Sequence, residues 1–288
     1  MKFSNNQIQG LDTLDEVALQ KIDQAEEILY LFDRDFRLLQ CVLDNHQSFE
    51  LELKNHLVHG ALNDGGIIGS VDLSKNVRIV DKWLLNILSS FRALTEHLET
   101  RITRIYGKKS KELEILKKAL SNEYDNEFSY AFSYKLRNYI QHCGMPRITF
   151  STNMDHKILN EIQLSMEIDL HRDDLLNCYD SWTTVKDRLK DQDEKICLLN
   201  ILDELMKSLL RIFSNIKDLI SFEKAKQAQQ YILSIINENE SYQEQNYGVC
   251  TSMEKSGEKL NIKTRILKTR LFESLNSFNN LMTTSNMD

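Results

Sequence analysis

Pro146 is the only proline in 288 residues. Proline lacks a backbone N–H and clashes with the preceding turn, so it is the strongest common helix breaker. A chain with one such residue has little to interrupt long helices. The nine glycines add few further breaks. The sequence therefore predicts a mainly α-helical protein whose helices stop at glycines, at polar clusters and at Pro146. Apolar residues make up 41% and charged residues 27%, a balance that suits a folded chain with a sizeable core.

Hydrophobic periodicity places the elements. Leu14, Val17, Ala18, Ile22, Ala25, Ile28, Leu29 and Phe32 recur at three- and four-residue steps, which predicts a helix from Leu11 to about Asn55. The cluster Asn63-Asp64-Gly65-Gly66 through Gly69-Ser70 reads as a connecting turn. A long stripe from Val77 to Ile105 predicts a second helix that ends at Gly107, and a shorter helix follows from Ser110. After Pro146 the period changes. Ile148 and Phe150, then Ile162 to Leu170, alternate with polar residues, which predicts two strands joined by a long connection. Helices return from Arg172 to about Asn239, with breaks near Asp191 and Ser221. Val249 to Met253 and Leu260 to Thr264 predict a second hairpin around Ser256-Gly257, before a last helix from Ile266 to Leu281. Three segments are expected: an N-terminal helical extension over 1–73, a helical core over 74–221 with a hairpin inserted at 147–170, and a C-terminal piece over 222–288.

Composition excludes several functions. The formal net charge of −7 rules out a broadly basic nucleic-acid coat, so any polyanion must meet a local patch. The first residues carry no apolar stretch of the signal-peptide kind, and no run approaches a bilayer span, so a cytoplasmic protein is expected. Cys41, Cys143, Cys178, Cys197 and Cys250 are scattered without a Cys-x-x-Cys pair, as free thiols are. His56 and His59, three apart, lack a convincing further ligand, so no metal site is assigned.

One helix carries chemistry. In the stretch Glu127 to Pro146, Phe128, Phe132, Leu136, Tyr139 and Cys143 fall on one side, which is the expected core face. Tyr130, Tyr134, Arg137, Asn138 and Gln141 fall on the other. Gly144 and Pro146 form a helix stop that leaves His142 in the last turn, where the helix dipole favours an imidazolium. Between Glu127 and Asp155 there is no acid, while Lys135, Arg137 and Arg147 lie inside that window. This is a local basic island of the kind a phosphate site requires.

The run Arg137-Asn-Tyr-Ile-Gln-His142 resembles the Arg-x(4–6)-His signature of the HEPN superfamily, in which a polar residue such as Asn138 commonly follows the arginine. A second match to the spacing, Arg92 to His97, is followed by alanine, flanked by Glu96 and Glu99, and lies in mid-helix; it reads as coincidence. The resemblance implies a HEPN-type helical bundle and metal-independent cleavage of RNA, with no cofactor and no metal. Arg137, His142 and Asn138 would be catalytic, and Tyr134, Lys135, Gln141 and Arg147 would contact substrate. The family builds its site between two protomers, so a homodimer is implied. Geometry agrees, because residues five apart lie about 140° apart around a helix and do not converge within one chain. A toxin or anti-phage role, with an antitoxin or other regulatory partner, is implied by family alone. The alternative is a non-catalytic HEPN-like module that binds a partner, a nucleotide or RNA.

Overall fold

Asp15 begins the first helix. Its Oδ1 accepts the Ala18 N–H at 2.7 Å, satisfying a donor that the helix cannot. The structure, a computed structural model, describes residues 2–4, 7–9, 13–63, 73–157, 161–236, 246–256 and 259–284. Among these the chain forms nine helices and seven strands. They are β1 (Lys2–Ser4), β2 (Gln7–Gln9), α1 (Glu16–Asn63), α2 (Leu73–Tyr106), α3 (Lys111–Asn126), α4 (Phe128–Cys143), β3 (Ile148–Lys157) and β4 (Glu161–His171). There follow α5 (Arg172–Cys178), α6 (Val185–Lys190), β5 (Lys195–Cys197), α7 (Leu198–Ile216), α8 (Phe222–Ile235), β6 (Asn246–Ser256), β7 (Lys259–Ile266) and α9 (Leu271–Thr284). The chain is thus mainly helical, with two small antiparallel sheets. No helix among the described residues is long and apolar enough to cross a membrane.

The helix ends follow local chemistry. Gly107 stops α2 at φ +97°, a left-handed conformation that costs glycine little. Ser110 then starts α3 by accepting the Leu113 N–H at 3.2 Å on its Oγ. Ser221 adopts φ +63° between α7 and α8, where the break near Ser221 is expected. The glycine-rich turn after Asn63 and the Gly257 turn lie outside the described residues.

Two compact units divide the chain. One comprises Met1–Arg37 with Lys217–Asp288, the other Leu38–Ile216. The expected boundaries at 73/74 and 221/222 both fall inside these units. In the first unit the strand order is β2-β1-β6-β7. Its helical core is a phenylalanine cluster: Phe32, Phe36, Phe222 and Phe278 meet with ring centroids 4.9–6.0 Å apart. Buried Glu26 holds this unit together from inside, accepting the Lys268 backbone N–H at 2.9 Å and facing Arg265 at 3.4 Å. β1 and β2 carry no sequence signal, because at three residues each they are too short for a period to register. The last helix begins at Leu271 and not at the expected Ile266, which ends β7.

In the second unit α4 packs against α2, α3, α6 and α7. Beside it lies a sheet of order β3-β4-β5. β3 and β4 pair antiparallel from Ile148↔Leu170 out to Lys157↔Glu161, so the long connection expected is three residues instead. β5 falls where the periodicity predicts helix, yet it pairs with β4 at Leu170↔Ile196 and leads directly into α7. The stripes of α1 and α2 are buried as expected through Leu29, Leu84, Leu88 and Phe91, but Val17 and Ile105 at their outer ends are 58% and 54% exposed.

The face assignment of α4 needs correction. Tyr130, placed on the wet side, is buried and packs edge-to-face on Phe91 at 5.2 Å. Cys143, placed on the core side, is exposed. The cause is that α4 has neighbours on several sides over its first half, so Tyr130, Ala131, Phe132 and Ser133 are consecutively buried. Burial also drives the Tyr130 phenol well above its ordinary pKa.

Trp182 anchors the second half. It is fully buried, stacks on Phe132 at 5.6 Å with an angle of 3°, and donates its indole N–H to the Leu175 carbonyl at 2.9 Å. Trp182→Ala is expected to lower the unfolding free energy by about 3–5 kcal/mol, as large aromatic truncations do. Urea denaturation followed by circular dichroism measures this, and a loss below ~1 kcal/mol would show that Trp182 is not the anchor.

Candidate functional site at the end of the fourth helix

Glu127 alone separates α3 from α4, and its extended backbone turns the chain sharply between them. The far end of α4 closes at Gly144, whose N–H still reaches the Ile140 carbonyl at 3.2 Å and whose φ of +94° then turns the chain out of the helix. Pro146 follows and is buried. The stop therefore stands where the sequence puts it, with His142 exposed in the last turn.

Arg137 and His142 have different partners. Arg137 donates from Nη1 to Gln141 Oε1 at 2.5 Å and, more weakly, to Asn138 Oδ1 at 3.5 Å. Both acceptors are neutral amides. Among the described residues no carboxylate offsets this guanidinium, so its charge remains available to a ligand. The His142 ring instead lies parallel to Tyr179, with centroids 6.3 Å apart and 10° between planes. Arg137 and His142 thus engage different neighbours within one chain, in keeping with their five-residue spacing. Asn138 and Gln141 are joined to Arg137 by these bonds, so the structure brings three of the expected site residues into one polar group.

Tyr134 stands one turn before Arg137 on the same side of α4. The Arg92 guanidinium lies over its ring, 4.3 Å from the centroid, and Tyr124 meets it edge-on at 5.7 Å. These groups line a cavity of about 400 Å³ that also includes Tyr130, Glu96 and Lys117. Arg92 is additionally paired with Glu96 at 2.7 Å. By sequence Arg92 belongs to a coincidental match; packing is what turns it toward α4. Lys135 is half-buried on α4. Arg147 is exposed and pairs with Asp174 of α5 at 3.5 Å. The acid-free window of the sequence is therefore not acid-free in space: the fold returns Asp174 to it from 27 residues away.

The far side of the last turn has its own chemistry. Tyr139 packs against Trp182 at 5.9 Å and edge-on to Tyr179 at 5.9 Å. Cys143 donates its thiol to the Cys178 carbonyl at 3.0 Å. Burial first, then the neighbouring Cys178 thiol, Cys143 and Asp174, push the Tyr139 phenol up to about 12. Tyr179 and Cys178 sit at the break between α5 and α6, where no periodicity marks them.

Compared with known proteins, the chain matches no family model, no curated protein and no solved structure. The site must be read from its own chemistry. It offers an uncompensated arginine, two amides that hold it, an exposed histidine and an adjacent aromatic cavity.

The Tyr139 shift has a pH consequence. A phenol raised from 10 to about 12 by folding contributes stability that is complete below pH 10 and is lost as pH rises toward 12. The denaturation midpoint should therefore fall across that window, and Tyr139→Phe should flatten the fall. An unchanged slope in the variant would assign the effect to other groups.

Proposed function

We propose that this chain is a metal-independent endoribonuclease of HEPN type that works as a homodimer. The observation that carries the reading is the Arg137 guanidinium held by the Gln141 and Asn138 amide oxygens, in the same helix end as exposed His142. An arginine kept for structure is ordinarily tied to a carboxylate, as Arg211 is to buried Glu123 at 2.8 Å. One held by neutral amides keeps its full charge for a phosphate. The Arg-x4-His spacing, the glycine stop after the histidine and the helical packing of α2, α3, α4 and α7 support the family reading.

RNA brings its own nucleophile, the 2′-hydroxyl. The enzyme has to take its proton, stabilise the phosphorane and protonate the departing 5′-oxygen. Neutral His142 accepts the first proton, and the protonated His142 of the second protomer supplies the last. Arg137 donates to the equatorial phosphoryl oxygens, where charge develops. Asn138 and Gln141 keep the guanidinium fork oriented, which lowers the entropy lost on binding. Tyr134, with Arg92 over its ring, lines the cavity as a polar contact for phosphate and not as an open stacking face, while Lys135 and Arg147 guide the backbone. Two-fold symmetry brings each group into the site twice, which answers the divergence of Arg137 and His142 within one chain. The products are a 2′,3′-cyclic phosphate and a 5′-hydroxyl, and a role as a toxin or anti-phage effector in the cytoplasm follows from the family likeness.

Purified protein incubated with total RNA or tRNA in EDTA should cleave it and leave cyclic-phosphate ends. His142→Ala and Arg137→Ala should each lower the rate by roughly 10²-fold or more. A Mg²⁺ requirement or 5′-phosphate products would overturn the mechanism. Failure of the wild type to cleave any RNA would favour the non-catalytic module.

A further inference from the structure

A second group of reactive side chains lies on α1 and α7, away from the residues assigned to RNA. His46 and Glu50 are four apart on α1 and so share a face. Asp203 comes from α7. All three belong to the unit Leu38–Ile216. One ligand-type atom from each lies within 4.8 Å of the other two. The neighbouring Asn45 donates to Ser90 Oγ of α2 at 3.1 Å, so this stretch of α1 is held in place on its other side.

The His46–Asp203 approach is unusual. His46 Nε2 lies 3.0 Å from Asp203 Oδ1. The nitrogen is shielded from solvent, yet the pair lacks the direction that a hydrogen bond needs. An oxygen at that distance but off the ring axis stands where a second ligand of a shared cation belongs. Two ligands at about 2.0–2.2 Å from one tetrahedral or octahedral centre are ~3.0–3.5 Å apart. A cation between them would turn a poor contact into two good ones.

We propose that His46, Glu50 and Asp203 bind one divalent transition-metal cation of the Zn²⁺ class. One imidazole and two carboxylates form a mixed set of borderline and hard donors, which suits Zn²⁺, Co²⁺ or Mn²⁺ better than a purely oxygen-seeking ion. Glu50 is 38% exposed and pairs loosely with Lys54 at 3.5 Å, so it can turn to the metal at little cost. Asp203 is 46% exposed and leaves a path for the ion and for water at the remaining positions. The cation would fasten α1 to α7, and binding to the folded state alone would raise stability. The proposal rests on these three residues and is independent of the ribonuclease reading.

The full chain, freed of metal by chelation, is titrated with Zn²⁺ by calorimetry and by thermal unfolding. One cation per chain should bind, and Tm should rise with Zn²⁺. Glu50→Gln, a surface change that keeps the fold, should weaken binding by roughly ten-fold or more, a loss seen even when only a ligand's supporting partner is removed. His46→Gln should abolish it. Co²⁺ should give visible absorption without a thiolate charge-transfer band, separating this site from the free cysteines. Absence of saturable binding, a thiolate band, or binding unchanged in both variants would overturn the proposal. RNA cleavage need not change in any arm, so the two readings fail separately.

Discussion

Trp182 is the contact on which the geometry of the α4 end depends. It lies in a short stretch between two minor helices, and it is fully buried against Phe132, Tyr139 and Tyr179. The stack fixes one side of α4 over two turns. With that side committed to the core, Arg137 and Asn138 remain on the opposite, half-exposed side. The same cluster sets Tyr179, whose ring lies parallel to His142. An aromatic contact of this kind is stiff, because rings in a close-packed interior have few alternative rotamers. The orientation of the last turn is thus settled by packing that begins 40 residues later in the chain.

Charge follows the same rule. Arg211 of α7 forms a bidentate pair with Glu123 of α3, one of the few buried acids, and so anchors the start of α4 through the adjoining Glu127. Arg92 is spent on Glu96 and Tyr134, and exposed Arg147 is held only loosely by Asp174 at 3.5 Å. Against these neighbours, Arg137 differs in having amide partners, and it is this contrast that gives the proposed phosphate contact its physical basis.

Much of the architecture was legible because local chemistry decided it. Ser110, Gly107, Gly144 and Ser221 end or begin helices through caps and left-handed turns that act over three or four residues, whereas Asp15 starts α1 five residues beyond the expected Leu11. The long stripe of α2 survives in three dimensions from Val80 to Ile102 because one face of it meets the core throughout. Period two found β4 nearly to its ends but β3 only as far as Phe150, since Thr152 and His156 stand at its apolar positions without interrupting the ladder. β5 stayed hidden because three residues beside a strongly apolar helix look like its first turn. Tyr130 was misplaced because a helical wheel assumes one wet side, while α4 is enclosed over its first half.

By itself, then, the sequence determined a mainly helical chain, the end of α4 at Gly144, and the Arg137–His142 spacing that sets those two groups about 140° apart. These are short-range outcomes of backbone stereochemistry and of the helical repeat. Tertiary structure alone decided that Asp174 reaches Arg147, that Arg92 covers Tyr134, that Tyr179 flanks His142 and that Asp203 meets His46. Each pair joins residues from separate elements. Which side chains meet there depends on how whole elements pack, and no local pattern encodes that.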